Sequence, residues 1–285
     1  MVSLKNRPTL DQQMEAHDAS INRAVKRRIP KSELSVKSIP RQQIRRKRLL
    51  ANRVSALHAT WSSLDRGRRS AACRFEWARL QVFMAGEVLP RLQELDTELV
   101  FLTLADKRWR VAPTAAVDAF KRPRRKFRAA IQSLREEGFK PVFVVAYEIS
   151  GDRNLEANYA FEPHAHVLIG GVPEPALKAA FNVRLPRIAR GRDKPISARS
   201  VSASQIGNIL GYLTKMKAQD RVEFVRSDGR RDRTSNRMTL EQETLWLRCM
   251  AATPIAQVIQ FGGFAESMTS RFIHCEMATM IGDMK

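Results

Sequence analysis

Cysteine is nearly absent from this chain: Cys73, Cys249 and Cys275 are the only three in 285 residues, and no two form a CxxC pair. An odd, widely spaced set excludes a disulfide framework and fits a reducing compartment. Long apolar runs are also missing. The opening MVSLKNRPTLDQQM has no apolar segment of signal-peptide length, and apolar runs elsewhere fall far short of a bilayer span. The expectation is a soluble, cytoplasmic protein with no membrane partner. Negative charge is scarce: 29 Asp and Glu face 50 Lys and Arg, for a formal net charge of +21. A chain so basic is expected to meet a polyanion. No GxxxxGK[ST] occurs, so there is no P-loop, and there is no aromatic-rich RNP1 pattern of an RNA-binding sheet.

What is present suffices for a folded core, because 44% of residues are hydrophobic. Residues 1–50 carry thirteen Lys or Arg against four acids, with RRKR at Arg45, Arg46, Lys47 and Arg48, and read as a flexible basic arm. Residues 51–97 read as a helical region, in which Phe75, Ala78, Val82 and Ala85 recur at helical spacing and Pro90 marks a break or kink. From Glu98 the pattern changes. ELVFLTLA predicts a buried strand that leads into a polar turn, DKRWRV. Thr114 to Glu137 predicts a helix disturbed in its middle by Pro123 and ended by Gly138.

PVFVVAYEIS and PHAHVLIGG predict two strands of a hairpin joined by the polar stretch GDRNLEANYAFE. A short helix at PEPALKAAFNVRL, a strand at ISARSVSA and a helix capped by Ser204 through IGNILGYLTKM follow. The fold class expected is α+β, a ferredoxin-like split βαβ antiparallel sheet with helices on one face, spanning residues 98–220. Residues 221–285 read as a basic loop or hairpin, FVRSDGRRDRTSNR, and a helical extension from Thr239 to Phe261.

The chemistry gathers in three places. His164 and His166 lie two apart on a predicted strand, so both imidazoles share one sheet face, with Pro163 expected at the strand's start. Glu148 ends the alternating set Val142, Val144, Ala146, and hairpin pairing would bring its carboxylate beside them. Glu162, of the same parity as the histidines, competes as the third ligand. Two imidazoles and one carboxylate form a mixed N/O set suited to Mg²⁺ or Mn²⁺. Tyr212 and Lys215, three apart, fall on one helix face. A phenol with pKa near 10 needs a cation and a metal-polarised phosphate to attack at neutral pH.

FLTLA at 101–105, a glutamate-ended strand, His-Ala-His and Tyr-x-x-Lys in this order resemble the HUH endonuclease superfamily, and within it the single-tyrosine rolling-circle replication initiators. Phe101, Leu102 and Thr103 match its first motif, His164 and His166 its second, and Tyr212 and Lys215 its third. Ala165 is smaller than the usual bulky residue between the histidines, and Ala105 stands where a hydroxyl residue is common.

The resemblance implies metal-assisted nicking of single-stranded or origin DNA, with Tyr212 forming a 5′-phosphotyrosyl link and freeing a 3′-hydroxyl. It also implies a separate host helicase and polymerase. A transposase or relaxase would use the same chemistry; a catalytically idle DNA-binding repressor and an RNA-binding protein are the rivals of another class. Phosphate contacts are expected from Arg45–Arg48, Lys107, Arg108, Arg122, Arg124, Arg125 and Lys217, and Trp109 could stack on an unpaired base.

Overall fold

The FLT segment forms strand β1, Leu99–Ala105, inside a seven-stranded sheet of the computed structural model. The structure describes residues 25–30, 42, 44–46, 48–49, 70–155, 159–185, 195–215, 218–265 and 267–274. Ahead of β1 run helix α1 (Arg74–Phe83), a π-helical turn at Met84–Val88, and helix α2 (Leu89–Gln93). Pro90 sits just past the π turn, in a helical run that continues from α1 into α2, and the wider turn accommodates a residue that has no N–H to donate.

After β1, Asp106 caps a short 3₁₀ turn at Lys107–Trp109, and a second 3₁₀ segment covers Pro113–Asp118. Helix α3 then begins at Lys121 and runs to Glu136. This corrects the single long helix expected from Thr114: Pro123 lies in the first turn of α3, among N–H groups that have no intrahelical acceptor. Gly138 ends the helix in the left-handed region, at φ 91°.

Strands β2 (Val142–Arg153) and β3 (Tyr159–Gly170) pair antiparallel over twelve positions, from Val142↔Gly170 to Arg153↔Tyr159. The expected hairpin is present, but most of its polar connection is strand. Pro163 is therefore inside β3. It is tolerated because the β1 ladder ends at Ala105↔His164, one residue earlier, so no donor to β1 is lost there. Helix α4 (Glu174–Arg184), strand β4 (Ile196–Val201) and helix α5 (Ile206–Leu213) follow. The cap before α5 is Ser202, in a capping box with Gln205, and not Ser204.

The strand order is β4-β1-β3-β2, all antiparallel, and it is extended beyond the expected domain boundary. Strands β5 (Gln219–Val225) and β6 (Arg231–Arg237) form the basic hairpin, and β5 joins the end of β2 in parallel at Gly151–Arg153. The other end of the same β2 edge takes β7 (Ile259–Gly262), opposite Phe143–Ala146. β7 corrects the helical reading of 239–261: helix α6 spans Leu240–Ala252, α7 is confined to Ile255–Val258, and the next four residues pair with the sheet. Between the two partners Ile149 meets no strand on that edge, and Trp246 Nε1 of α6 donates to its carbonyl at 2.9 Å.

Opposed residues of an antiparallel pair share a face, which sorts the core into two layers. Phe143 and Tyr147 face α3 and α4, where Phe127 meets Phe143 edge-on at 5.0 Å and stacks on Phe181 at 6.0 Å. The opposite face, which carries the histidines, is not bare as the single-face expectation had it. Phe261 of β7 meets Phe83 of α1 at 5.7 Å, Phe272 of α8 (Met268–His274) meets Phe83 at 5.4 Å, and α5 covers the histidines.

The described parts of the expected arm are seated on this layer as well: Val25 and Ile29 are fully buried, and the carbonyl of Arg28 lies against Gly207 of α5 so closely that a Cβ there would collide with it. Among the described residues no helix is long and apolar enough to cross a membrane.

Candidate active site

Register alone places the three expected ligands together. Glu148 of β2 lies opposite His164 of β3, and His166 lies between Ala146 and Thr103 of β1. The imidazoles are 5.0 Å apart and nearly perpendicular, at 1% and 3% exposure. Glu148 Oε2 is 3.5 Å from His164 Nε2 and 3.9 Å from His166 Nε2. Both separations lie within the ~4.2 Å that two ligands bonded to one ion at about 2.1 Å can span. The three ligand atoms all lie within 4.8 Å of one another, so the group can hold a metal ion. Glu148 Oε1 is buried with no hydrogen-bond partner among the described residues, the kind of orphan atom that an ion or a bound group explains.

Each ring is oriented through its other nitrogen. His164 Nδ1 lies 3.2 Å from Glu162 O; a carbonyl only accepts, so Nδ1 carries a proton and the ring is turned with Nε2 toward Glu148. His166 Nδ1 lies 3.0 Å from Thr103 Oγ1, and its Nε2 lies 3.1 Å from Tyr212 Oη. We assign the proton of His166 to Nδ1, donating to Thr103, so that Nε2 accepts from the phenol. Burial pushes His166 down to about 4, opposed by the charge of Glu148, so the ring is neutral at physiological pH and its lone pair is available. Burial alone would raise Glu148, but His166, His164 and Arg221 outweigh it and hold the carboxylate below its ordinary range.

Glu162, the competing ligand, is otherwise engaged. Its carboxylate pairs with Arg233 of β6 at 3.4 Å, and Asp152 farther along the same face pairs with Arg110 and lies 3.8 Å from Arg233. Glu148→Gln is therefore expected to lower Mn²⁺ affinity by about 100-fold or more, whereas Glu162→Gln leaves it within a fewfold, measured by calorimetric titration. Equal losses in the two variants would return Glu162 to the ligand set.

Tyr212 lies on α5 with its ring edge-on to His166 at 4.8 Å and to Phe101 at 6.0 Å. Burial and, after it, the charge of Glu148 raise its pKa, and Arg221 opposes them. Lys215 lies past the end of α5, not on the helix as expected, because Thr214 is the C-cap; its Nζ stands 5.7 Å from the centre of the Tyr212 ring.

The residue that sequence reading missed is Arg221, on β5, whose Nη2 is 3.5 Å from His164 Nε2. Nothing local marks it among many arginines; the parallel joining of β5 to β2 brings it there.

The expected DNA contacts divide. Trp109 is 3% exposed and is core, which corrects its reading as a stacking platform. Arg46 is buried too: it donates to Ala72 O, lies 6.0 Å from the Trp246 ring, and is pushed down to about 9 by burial and by Arg74. Arg45 pairs with Glu243, and Arg108 is held by Asp106 at 2.5 Å. Arg124 donates to Gln257 at 2.8 Å, and Lys107 is half-buried. Arg48, Arg122 and Arg125 are exposed; Lys47 and Lys217 lie outside the described residues.

No family model, no curated protein and no solved structure matches the chain.

Proposed function

We propose that the protein is a metal-dependent endonuclease of the HUH type that nicks single-stranded DNA at an origin and serves as a rolling-circle replication initiator. The observation that carries this reading is the contact of Tyr212 Oη with His166, 3.1 Å away, inside a His-His-Glu group that can hold a metal ion. A phenol held against a candidate ion site is what metal-assisted attack on a phosphate requires, and DNA binding alone does not require it. The strand-helix-strand-strand-helix-strand run with order β4-β1-β3-β2 also fits the ferredoxin-like split βαβ domain of that reading.

His164, His166 and Glu148 would hold Mg²⁺ or Mn²⁺. The ion supplies Lewis-acid polarisation of a phosphoryl oxygen and neutralises charge developing there. Tyr212 Oη attacks phosphorus in line; a bond from phosphorus to the phenolic oxygen forms as the bond to the 3′ oxygen breaks. The phenol gives up its proton and the departing 3′ oxygen gains one, so the products are a 5′-phosphotyrosyl enzyme and a free 3′-hydroxyl. Because one phosphodiester replaces another, the reverse step rejoins strands without ATP. Lys215 favours the developing phenolate, and Arg221 faces the phosphate oxygens with a planar fork of donors. A separate helicase and polymerase of the host would use the hydroxyl as a primer.

The deciding experiment incubates the protein with Mn²⁺ and a randomised pool of single-stranded DNA and looks for a covalent protein–DNA adduct. No adduct, with DNA still bound, would leave the repressor reading. Arg221→Lys keeps the charge but loses the fork, and is expected to slow adduct formation about tenfold or more at unchanged Mn²⁺ affinity. Tighter Mn²⁺ binding by the variant would mean that Arg221 competes for the ion site instead.

Affinity for DNA should fall steeply with salt. Arg122→Gln and Arg125→Gln, both at exposed positions of α3, are each expected to flatten the log–log salt dependence by about 0.7 on a single strand. An unaltered slope would take α3 out of the DNA path.

A further inference from the structure

A cavity of about 360 Å³ opens beside the phenol of Tyr212, walled by Phe101, Arg199, Gln205, Asn208 and Ile209. Three of its features point to a ligand. Its aromatic wall is formed by Phe101, which stacks on His166 at 5.8 Å and meets Tyr212 edge-on, so an occupant lies directly beside the reacting phenol. The Arg199 guanidinium, exposed on β4, stands 5.3 Å from the Phe101 ring centre and has no ion pair among the described residues. The side-chain amide of Asn208, half-buried on α5 and one turn from Tyr212, has no hydrogen-bond partner among the described residues.

An aromatic face, a planar cation and an amide that both donates and accepts are together the means by which proteins read an unpaired base. A peptide or a free anion would use the cation but not the amide and ring together. We propose that this cavity is a nucleobase subsite that holds one unpaired base next to the scissile phosphate and so sets the sequence at which the strand is cut. The proposal rests on the nicking reading and names its specificity determinant. The guanidinium plane of Arg199, which lies over the Phe101 ring, stacks on the base at the cavity's aromatic wall, and Asn208 reads its hydrogen-bonding edge. Holding the base there also fixes the adjoining phosphate against Tyr212, so base choice and rate are linked.

The test uses the full chain with Mn²⁺ and a randomised single-stranded DNA pool; the sequences joined to Tyr212 are recovered and read for the wild type, Asn208→Ala, Asn208→Asp and Arg199→Ala. The wild type is expected to show a strong base preference at one position flanking the cut. Asn208→Ala and Arg199→Ala should each reduce the preference at that position by about tenfold or more, the discrimination lost with one good base contact, while adducts still form at a lower rate. Asn208→Asp, of the same shape but without the donor, should change which base is preferred. Wild-type adducts with no preference beside the cut, or the same preference in every variant, overturn the subsite. Loss of all adducts in the variants with Mn²⁺ binding intact would assign the cavity to catalysis and overturn base reading. Failure of the wild type to form any adduct overturns the nicking reading itself.

Discussion

Tyr212→Phe is expected to abolish covalent adduct formation, a loss on the order of a thousandfold or more, since the hydroxyl removed is the nucleophile and nothing else in the site replaces it. The fold should survive. The ring keeps its edge-on contacts with Phe101 and His166, and the one hydrogen bond lost, to His166 Nε2, is worth roughly 1 kcal/mol. Affinity for DNA should change little, which gel shift in the presence of Mn²⁺ would measure. The other two tyrosines are poor substitutes. Tyr147 is fully buried on the opposite sheet face against Phe120 and Phe127, and the hydroxyl of Tyr159, on that same opposite face, is also buried. An adduct that persists in Tyr212→Phe would remove the proposed nucleophile.

His164→Ala and His166→Ala are each expected to weaken Mn²⁺ binding by about 100-fold or more and to stop nicking at micromolar metal. Each deletes one of three donors, and loss of even a group that only orients a ligand costs 10- to 100-fold by order of magnitude. EDTA should have the same effect on the wild type, with nicking restored by added Mn²⁺. Both rings are buried, so each truncation also leaves a small cavity, and thermal unfolding without metal should be measured alongside. Native-like unfolding with an unaltered Mn²⁺ titration would show that the pair is structural. His166→Ala should also alter the environment of Tyr212, whose hydroxyl loses its partner, whereas His164→Ala should not; the ultraviolet absorbance of the phenol distinguishes the two.

The ladder explains why so much of this site was legible. A period of two fixes His164 and His166 on one face whatever surrounds them, and a hairpin whose strands both alternate brings Glu148 opposite His164 as soon as its register is set. Strands β1 to β4 could be read because each is a continuous apolar or alternating run bounded by turn residues. Local chemistry misled at helix ends. Pro123 reads as a mid-helix fault and proves to be a first-turn residue, and Ser202 caps where Ser204 was expected, since in each case the choice depends on where the chain leaves the sheet.

The sequence by itself determined strands β1 to β4, the shared face of the two histidines, the basic charge and the residue types of the proposed chemistry, because these follow from local periodicity and composition. Only the tertiary structure decided which glutamate joins the histidines, which of the three tyrosines meets them, that Trp109 and Arg46 are core, and that Arg221 enters the site. Those outcomes depend on contacts between residues far apart in the chain. The β5–β6 hairpin brings Arg233 to Glu162 and leaves Glu148 to the histidines, and the parallel docking of β5 on β2 carries Arg221 to His164. No local pattern encodes such pairings, since an arginine on an exposed strand reads the same whether it faces solvent or a cluster of ligands.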